Sequence, residues 1–449
     1  MSLMDLSATE LARRVRAGEV SPLSAAQAAR DRVAERDPAL NAMTVLNPAL
    51  EQEAAEVAVQ LDAGADLPLA GVPVVIKDNI WVKGLRVTQG SRLFADFVAP
   101  EDARAVALLR AAGAIILGIA TCSEFACKGV TNTPLYGQTR NPVDPRLTTG
   151  GSSGGPVAAV AAGMAPLALG TDAGGSSRRP PAHTGLFGFK PTQDLVPYGP
   201  GFDEPVDGIS VICPIARHLE DISLAMSVLG GVAPKQASPG PIAWSRDFGL
   251  GQRLDEDVDT AFRKAISKLE TAGFVLQEAA PDWGGLTGGS VMPLQFAGLA
   301  RLHGEAFHKD RSRFDPDLAA QIETGLALSV AEITEGRAAA QQIGATLNAF
   351  LESHDFVLVP TTPCSAWPVD QLAPDTIGSL SCAPRDHAAF TPQANHAGVP
   401  AFSIPFACTR DGLPLGIQII AAKGRDADLL DLAARINTVL EFDQHKRVS

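Results

Sequence analysis

The stretch from Leu147 to Thr192 most constrains what this chain can fold into. It holds two glycine-flanked serine pairs, in Thr-Thr-Gly-Gly-Ser-Ser-Gly-Gly (148–155) and in Thr-Asp-Ala-Gly-Gly-Ser-Ser-Arg (171–178), joined by an apolar segment. Glycine lets the backbone turn sharply and lets other groups approach closely. A serine held in such a turn exposes its hydroxyl beside backbone N–H groups, as a nucleophile with an oxyanion hole requires.

Strand and helix patterns alternate around this stretch. Residues 71–77 and 114–119 are short runs rich in Val and Ile, typical of buried strands, and 102–112 is typical of a helix that stops at Gly113. The alternation predicts an α/β protein with a largely parallel or mixed sheet. No repeat, low-complexity tract or linker divides the 449 residues. We therefore expect one large domain.

Composition excludes several classes of function. The net charge of −13 argues against nucleic acid as a direct partner, because phosphate contacts need clustered Lys and Arg. Six cysteines without Cys-x-x-Cys spacing are typical of reduced thiols in a cytoplasmic protein. The most apolar stretches, 105–120 and 157–170, are too short and interrupted to span a membrane. No His/Cys/Asp cluster has metal-ligand spacing, so we expect no metal and no cofactor.

Two simpler interpretations of the serine stretch fail in context. Gly150–Gly154 and Gly151–Gly155 both match Gly-x-Ser-x-Gly, but the nucleophile elbow needs a strand before it, and a proline-broken loop (141–149) precedes them here. A phosphate-binding loop would need a lysine where Pro156 stands. What remains is a site with two serines and Lys77, which ends an apolar strand; burial there would lower its pKa toward that of a useful base.

Taken singly, Lys77 is typical of a strand-end lysine, and Ser152 and Ser176 of turn serines. Together they resemble the amidase signature family of serine hydrolases. The resemblance covers about residues 70–220 and resumes at 355–420. Its blocks are Gly71-Val-Pro-Val-Val-Ile-Lys-Asp-Asn79, Gly150-Gly-Ser-Ser-Gly-Gly155, Gly170-Thr-Asp-Ala-Gly-Gly-Ser176 with Arg178, Gly188-Phe-Lys-Pro-Thr192, Gly398-Val-Pro-Ala401 and Gly412-Leu-Pro-Leu-Gly-Ile-Gln418.

The resemblance implies a fold, a reaction and a set of site residues. The fold would be one domain with a mixed central β-sheet flanked by helices on both faces. The reaction would be hydrolysis of a small-molecule carboxylic amide to acid plus ammonia or amine, without cofactor. The catalytic triad would be Lys77, Ser152 and Ser176, with Ser176 as the nucleophile. Ser152 would follow a cis peptide bond. The oxyanion hole would use the backbone N–H groups of Ala173, Gly174, Gly175 and Ser176. Asp172, Arg178 and Ser153 would support the site.

On this resemblance the chain divides into four regions. They are a helical N-terminal region (about 1–65), a catalytic core (about 70–220), a mainly helical substrate-covering region (about 290–352) and closing strands (about 355–440). We expect the pocket to be formed by 125–140, 198–212 and 290–340. These segments carry no motif that names the acyl group. Lys190 is interpreted as structural, and His183, His218, His387 and His396 as packing or pocket residues.

Departures from the family pattern bear on specificity and leave the triad intact. Pro156, Ser177 and the segment Arg179-Pro-Pro-Ala-His183 replace the small or apolar residues that are usual there.

Two alternatives stay open. One is the glutaminase A subunit of glutamyl-tRNA amidotransferase, which releases ammonia from glutamine for a partner protein. That glutaminase typically has an acidic residue seven positions before the Asn of Asn-x-x-Gly-x-Pro; here, before Asn395, the position holds Ala388, although Asp386 is close. The other is a catalytically silent scaffold on the same fold. We expect no membrane partner, and the assembly is open between monomer and homodimer.

Overall fold

The computed structural model describes residues 2–206, 208–235 and 242–442. Its α-helices are α1 (Ala8–Arg16), α2 (Pro22–Leu40), α3 (Leu50–Asp62), α4 (Arg104–Ala111), α5 (Gly154–Ala161), α6 (Arg179–Thr184), α7 (Leu219–Leu229), α8 (Glu256–Thr271), α9 (Met292–Lys309), α10 (Pro316–Ala327), α11 (Val330–Ser353), α12 (Pro392–His396) and α13 (Asp426–Leu440). No helix within these described ranges is both long and apolar enough to cross a membrane.

One sheet of eleven strands runs through the chain. In chain order the strands are β1 (Met43–Leu46), β2 (Pro73–Lys77), β3 (Ile115–Ala120), β4 (Leu167–Asp172), β5 (Phe187–Lys190), β6 (Val211–Ala216), β7 (Ile242–Trp244), β8 (Leu276–Glu278), β9 (Phe356–Pro360), β10 (Ala401–Cys408) and β11 (Pro414–Ala421). Their order across the sheet is β1-β3-β2-β4-β6-β5-β10-β11-β9-β7-β8. Strand β2 runs parallel to β3 and β4, and β7 to β8 and β9, whereas the other neighbours are antiparallel. The sheet is therefore mixed, as predicted.

Both faces of the sheet are covered by helices. Successive residues of a strand point to opposite faces, and in β2 the side chains of Val74 and Ile76 join one buried cluster while Val75 joins the other. Helices α4, α7, α8 and α13 pack in the first cluster, and α1, α2, α3 and α5 in the second. The prediction of an α/β fold with helices on both faces is confirmed.

Three local expectations differ from the structure. The N-terminal region is not wholly helical, because β1 (Met43–Leu46) pairs antiparallel with β3 and covers that end of the sheet. The sequence pattern predicts one helix over 385–397, but these residues form a 3₁₀ turn (Asp386–Ala388) and the short α12. The pattern also predicts a strand over 274–277, and the strand observed is Leu276–Glu278, beside Ile242–Trp244. Strands β1 and β8 each depend on pairing with a strand distant in sequence, which local propensity does not contain. The pattern predicts a further strand over 241–244, of which Pro241 lies outside the described residues.

The parallel arrangement of β2, β3 and β4 places the site. Lys77 is the last residue of β2, and Thr171 and Asp172 end β4. Carboxyl ends of parallel strands meet at one edge of a sheet, which is where α/β proteins commonly place their ligands. The serine loops that precede α5 and follow β4 lie at that edge.

Candidate active site

Lys77 is fully buried at the end of β2. Its Nζ lies 2.7 Å from Ser152 Oγ and 2.8 Å from Thr171 Oγ1. Burial lowers the pKa of Lys77 to about 8, and the negative charge of Asp172 opposes that shift only partly. Burial disfavours the charged form of an amine. The geometry therefore holds a lysine that loses its proton readily beside a serine hydroxyl.

Ser152 and Ser153 are held in a closely packed loop. The peptide bond between Gly151 and Ser152 is cis, as the sequence resemblance implies. A Cβ on Gly151 would lie only 2.7 Å from the backbone of Val130, so no larger residue fits there. Ser153 Oγ donates a hydrogen bond to the Thr171 carbonyl at 3.2 Å. This contact ties the Ser152 loop to the end of β4.

Asp172 organises the following turn. Its carboxylate accepts hydrogen bonds from the backbone N–H groups of Gly175 (2.7 Å) and Ser177 (3.1 Å) and from both Nε and Nη2 of Arg178 (3.0 and 2.9 Å). Both side chains are fully buried. Burial by itself raises the pKa of Asp172, but the Arg178 charge and these hydrogen bonds outweigh it and lower the pKa. Asp172 and Arg178 thus form a buried ion pair.

Arg178 links this turn to the C-terminal part of the chain. Its Nη1 donates to the Thr391 carbonyl and to Gln418 Oε1, and its Nη2 donates to Asn395 Oδ1, at 2.6 to 2.9 Å. The remaining N–H groups of the guanidinium thus donate to three acceptors from residues 391–418. The sequence analysis named Arg178 as a supporting residue but did not identify these acceptors.

One of the four predicted oxyanion donors is already used. The Gly175 N–H donates to Asp172, so it does not point into the cavity, which differs from the sequence prediction. Gly175 has a φ of +110° that brings it against Thr391. Ala173, Gly174 and Ser176 line the cavity, and within the described residues their N–H groups donate to no other group. Three residues that line the cavity therefore have backbone N–H groups without an acceptor in the described chain.

Ser176 opens onto a cavity of about 500 Å³, which Ser152 and Thr171 also line. Ser176 is 7% exposed as a whole residue, and no described residue forms a hydrogen bond with its hydroxyl. The Lys77–Ser152 contact is thus formed, whereas the Ser152–Ser176 hydrogen bond is not. Catalytic hydrogen bonds are often long or open before substrate binds.

The cavity wall comes partly from the segments named in the sequence analysis. Phe125 to Lys128, Tyr198 to Ser210 and Met292 to Gln295 contribute, with residue 207 outside the described chain. The segment Ala383–Ala389 also lines the cavity, and the sequence prediction missed it. It missed Thr171 as well, although this threonine lies inside the Gly170-Thr-Asp block. A third omission is Arg179, which the sequence flagged only as a departure from the family pattern.

The remaining titratable candidates do not form a catalytic pair in the described residues. Lys190 is fully buried, does not line the cavity and donates to the Pro191 carbonyl. Burial lowers the pKa of His183 to about 3 and that of His387 well below its usual range. Both rings pack against Trp367. His396 lines the cavity, with a pKa lowered to about 4 by burial. No group of three His, Cys, Asp or Glu side chains in the described chain could hold a metal ion.

A buried lysine beside a serine pair, with backbone donors at the same cavity, defines a serine hydrolase site. Comparison with known proteins places it more closely. A family model described as Amidase matches residues 24–430. The A subunit of the glutamyl-tRNA(Gln) amidotransferase of Thermus thermophilus is 35% identical, over 95% of this chain and 95% of that protein. An acylamidase of Rhodococcus erythropolis is 32% identical, over 98% of this chain and 97% of that protein. The chain belongs to the amidase signature family.

Solved structures of an amidase and of another hydrolase have the same fold as this chain. A crystal structure of an amidase superposes with a TM-score of 0.89 at 28% identity, covering 96% of this chain and 99% of that one. A 6-aminohexanoate cyclic dimer hydrolase superposes with a TM-score of 0.86 at 25% identity, covering 98% of both chains. The protein is therefore an amidohydrolase of this family.

Proposed function

We propose that the protein cleaves a carboxylic amide through an acyl-enzyme on Ser176, with Ser152 and Lys77 as its proton relay. The observation that carries this assignment is the 2.7 Å contact between Lys77 Nζ and Ser152 Oγ, at a cavity that Ser176 shares. Neutral Lys77 takes the proton of Ser152, and Ser152 takes the proton of Ser176 as Ser176 Oγ bonds to the amide carbon. Thr171, within hydrogen-bonding distance of Lys77, orients the amine.

The tetrahedral oxyanion accepts hydrogen bonds from the N–H groups of Ala173, Gly174 and Ser176. Each such donor contributes about 3–4 kcal/mol to transition-state stabilisation. The relay then runs in reverse: Lys77 returns its proton through Ser152 to the leaving nitrogen, the C–N bond breaks, and ammonia or amine departs. Water, deprotonated by the same relay, releases the acid. Protonation of the leaving nitrogen is essential because amines are poor leaving groups.

Covalent labelling tests the role of Ser176. A fluorophosphonate, which reacts with activated serines, is expected to add one equivalent to the protein, located at Ser176 by peptide mapping. Ser176→Ala should not be labelled, and Ser153→Ala, which removes only a supporting hydroxyl, serves as the matched control. Labelling of Ser152 with Ser176 untouched would reverse the assignment of the two serines.

A second candidate function, glutamine hydrolysis for a tRNA amidotransferase, is favoured by the relatives that carry that name. Ala388, at the position where those glutaminases typically have an acidic residue, lines the cavity and offers no counter-charge to an amino-acid ammonium. Asp386, also at the cavity, accepts a hydrogen bond from the Ala383 N–H. We therefore propose that the protein works as a monomer or homodimer, without tRNA or amidotransferase partners.

Ammonia release from small amides by the purified protein tests this proposal. Inertness on all of them, with glutamine cleaved only when amidotransferase partners are added, would favour the second candidate.

We also propose a cytoplasmic location, because all six cysteines are free thiols and four of them are buried.

A further inference from the structure

Two arginines of the cavity wall lack a carboxylate partner. Arg179 is only 4% exposed, and its one hydrogen bond is a long contact of 3.4 Å from Nη2 to the Gly151 carbonyl. Its Nε has no partner among the described residues. Arg385, from residues 383–389 of the same wall, donates to the Cys127 carbonyl at 3.2 Å. Neither guanidinium forms an ion pair within the described chain.

Two other buried cations near the site are paired with carboxylates. Arg178 pairs with Asp172, and Lys128, which lines the same cavity, lies 2.6 Å from Asp315. Burial lowers the pKa of Arg179 to about 9, and the charge of Arg385 adds to the shift. A buried charge is normally paired, because desolvation without compensation is costly. The buried Arg179 is thus an exception on the wall of this cavity, and the half-buried Arg385 lies on the same wall.

The carboxylates that line this cavity do not neutralise the two arginines. Asp386 accepts from the Ala383 N–H, and Glu204 accepts from the Val206 N–H and from Ser210 Oγ. Asp203 also lines the cavity, and in the described chain it forms no ion pair with either guanidinium. His183 and His387, whose rings are buried nearby, are neutral because burial depresses their pKa. Within the described residues, no anion therefore lies at ion-pairing distance from Arg179 or Arg385.

We propose that Arg179 and Arg385 form a subsite for a carboxylate group of the amide substrate. This inference rests on the function proposed above and adds the class of substrate. Two planar guanidinium groups with free N–H donors match the geometry of a carboxylate, which accepts paired hydrogen bonds. The same pair would reject a purely apolar acyl group, since that would leave both charges uncompensated.

The position of Arg179 also limits the length of the substrate. Its Nη2 contacts the carbonyl of Gly151, the residue directly before Ser152. A carboxylate bound there lies only a few bonds from an amide carbonyl placed at Ser176. The subsite therefore favours short monoamides of dicarboxylic acids.

Succinamate and succinamide test the subsite. They have nearly the same shape, but the terminal carboxylate of the first is a neutral amide in the second. We expect kcat/KM for ammonia release to be about 10- to 100-fold higher for succinamate, the range of a charge-assisted hydrogen bond. Arg179→Gln and Arg385→Gln should each lower this ratio by at least tenfold, and Arg179→Lys should restore part of it. Arg146→Gln, at an arginine whose side chain is 88% exposed, is the matched control and should keep the wild-type ratio.

Succinate binding separates this proposal from the proposed function. Titration calorimetry on Ser176→Ala, which cannot react, is expected to show succinate binding that weakens at least tenfold when Arg179→Gln is added. Thermal melting confirms that each variant is folded. If wild type cleaves both amides equally and Arg179→Gln leaves the ratio unchanged, the subsite is refuted while the amidase function stands. If neither amide is cleaved, the binding titration alone decides: succinate affinity that does not depend on Arg179 or Arg385 refutes the subsite.

Discussion

The pH dependence of catalysis follows from the burial of Lys77. The protonated amine cannot accept a proton from Ser152, so kcat/KM should rise with pH and level off above an apparent pKa near 8, the value to which burial lowers the pKa of Lys77. With that pKa, about one tenth of Lys77 is neutral at pH 7, whereas at the ordinary value of 10.5 about one in three thousand would be. Burial thus raises the reactive fraction by about 300-fold at pH 7. Because Lys77 shares a proton network with two serines, the measured pKa belongs to the group.

The assay is ammonia release under kcat/KM conditions between pH 5.5 and 9.5. The slope below the midpoint should be about tenfold per pH unit. Lys77→Ala should nearly abolish amide hydrolysis while the protein stays folded. Lys77→Arg should not restore it, because guanidinium does not lose its proton in this range. Ester hydrolysis should suffer less at high pH, since an alkoxide leaving group needs less protonation.

Lys190 provides the matched control. It is also fully buried, with a pKa lowered to about 8 by burial, but it does not line the cavity. Lys190→Met should therefore keep the rising limb, although both lysines titrate in the same range. A folded Lys77→Ala variant with near-normal activity and an unchanged pH profile would remove Lys77 from the mechanism. If the rising limb were lost in Lys190→Met alone, it would belong to Lys190 and not to Lys77.

Further predictions concern the stability of the turn over residues 172–178 and the effect of a metal chelator on activity. Arg178→Met leaves the Asp172 carboxylate buried without its partner, so the free energy of unfolding should fall by about 3–5 kcal/mol in urea titrations; an unchanged midpoint would contradict the buried ion pair. Gly175→Ala should lower the melting temperature, because a Cβ there collides with Thr391 at a positive φ, whereas Gly174→Ala, with open space around the added methyl, should melt as wild type does; equal melting of both variants would contradict this packing. EDTA should leave amide hydrolysis intact, since the proposed relay needs no Lewis acid; activity lost to the chelator and restored by zinc or manganese would refute that relay.

Much of the fold could be predicted because its strands are locally distinctive. The runs ending at Lys77 and Ala120 are continuous Val- and Ile-rich segments, as expected for strands buried on both faces. Strand β1 (Met43–Leu46) was missed because its residues are only partly buried and its state depends on pairing with β3. Pairing partners separated by some 70 residues leave no periodic signal in either segment.

Some features of the site could likewise be predicted from local sequence, whereas others depend on contacts between distant segments. Lys77 and Ser152 could be named because each lies in a short sequence block that resembles a block of the family, although neither residue is distinctive when taken singly. The use of the Gly175 N–H by Asp172 could not, since it depends on which way one peptide plane faces. Nor could the meeting of Arg179 and Arg385, about 200 residues apart in sequence, at one cavity wall. Short sequence blocks predict the reacting groups, whereas tertiary packing decides what surrounds them.

The contacts of Arg178 have a consequence for biosynthesis. The three acceptors that hold its guanidinium, the Thr391 carbonyl, Asn395 Oδ1 and Gln418 Oε1, all come from the last part of the chain. Strand β10 (Ala401–Cys408) also lies directly beside β5 (Phe187–Lys190), in the interior of the sheet. A nascent chain therefore carries Lys77, Ser152 and Ser176 long before it can hold the turn that aims them. With the proposed roles, the reactive serine gains its full support only when synthesis is nearly complete, and a fragment ending before residue 391 would carry Lys77, Ser152 and Ser176 without the contacts that hold Arg178.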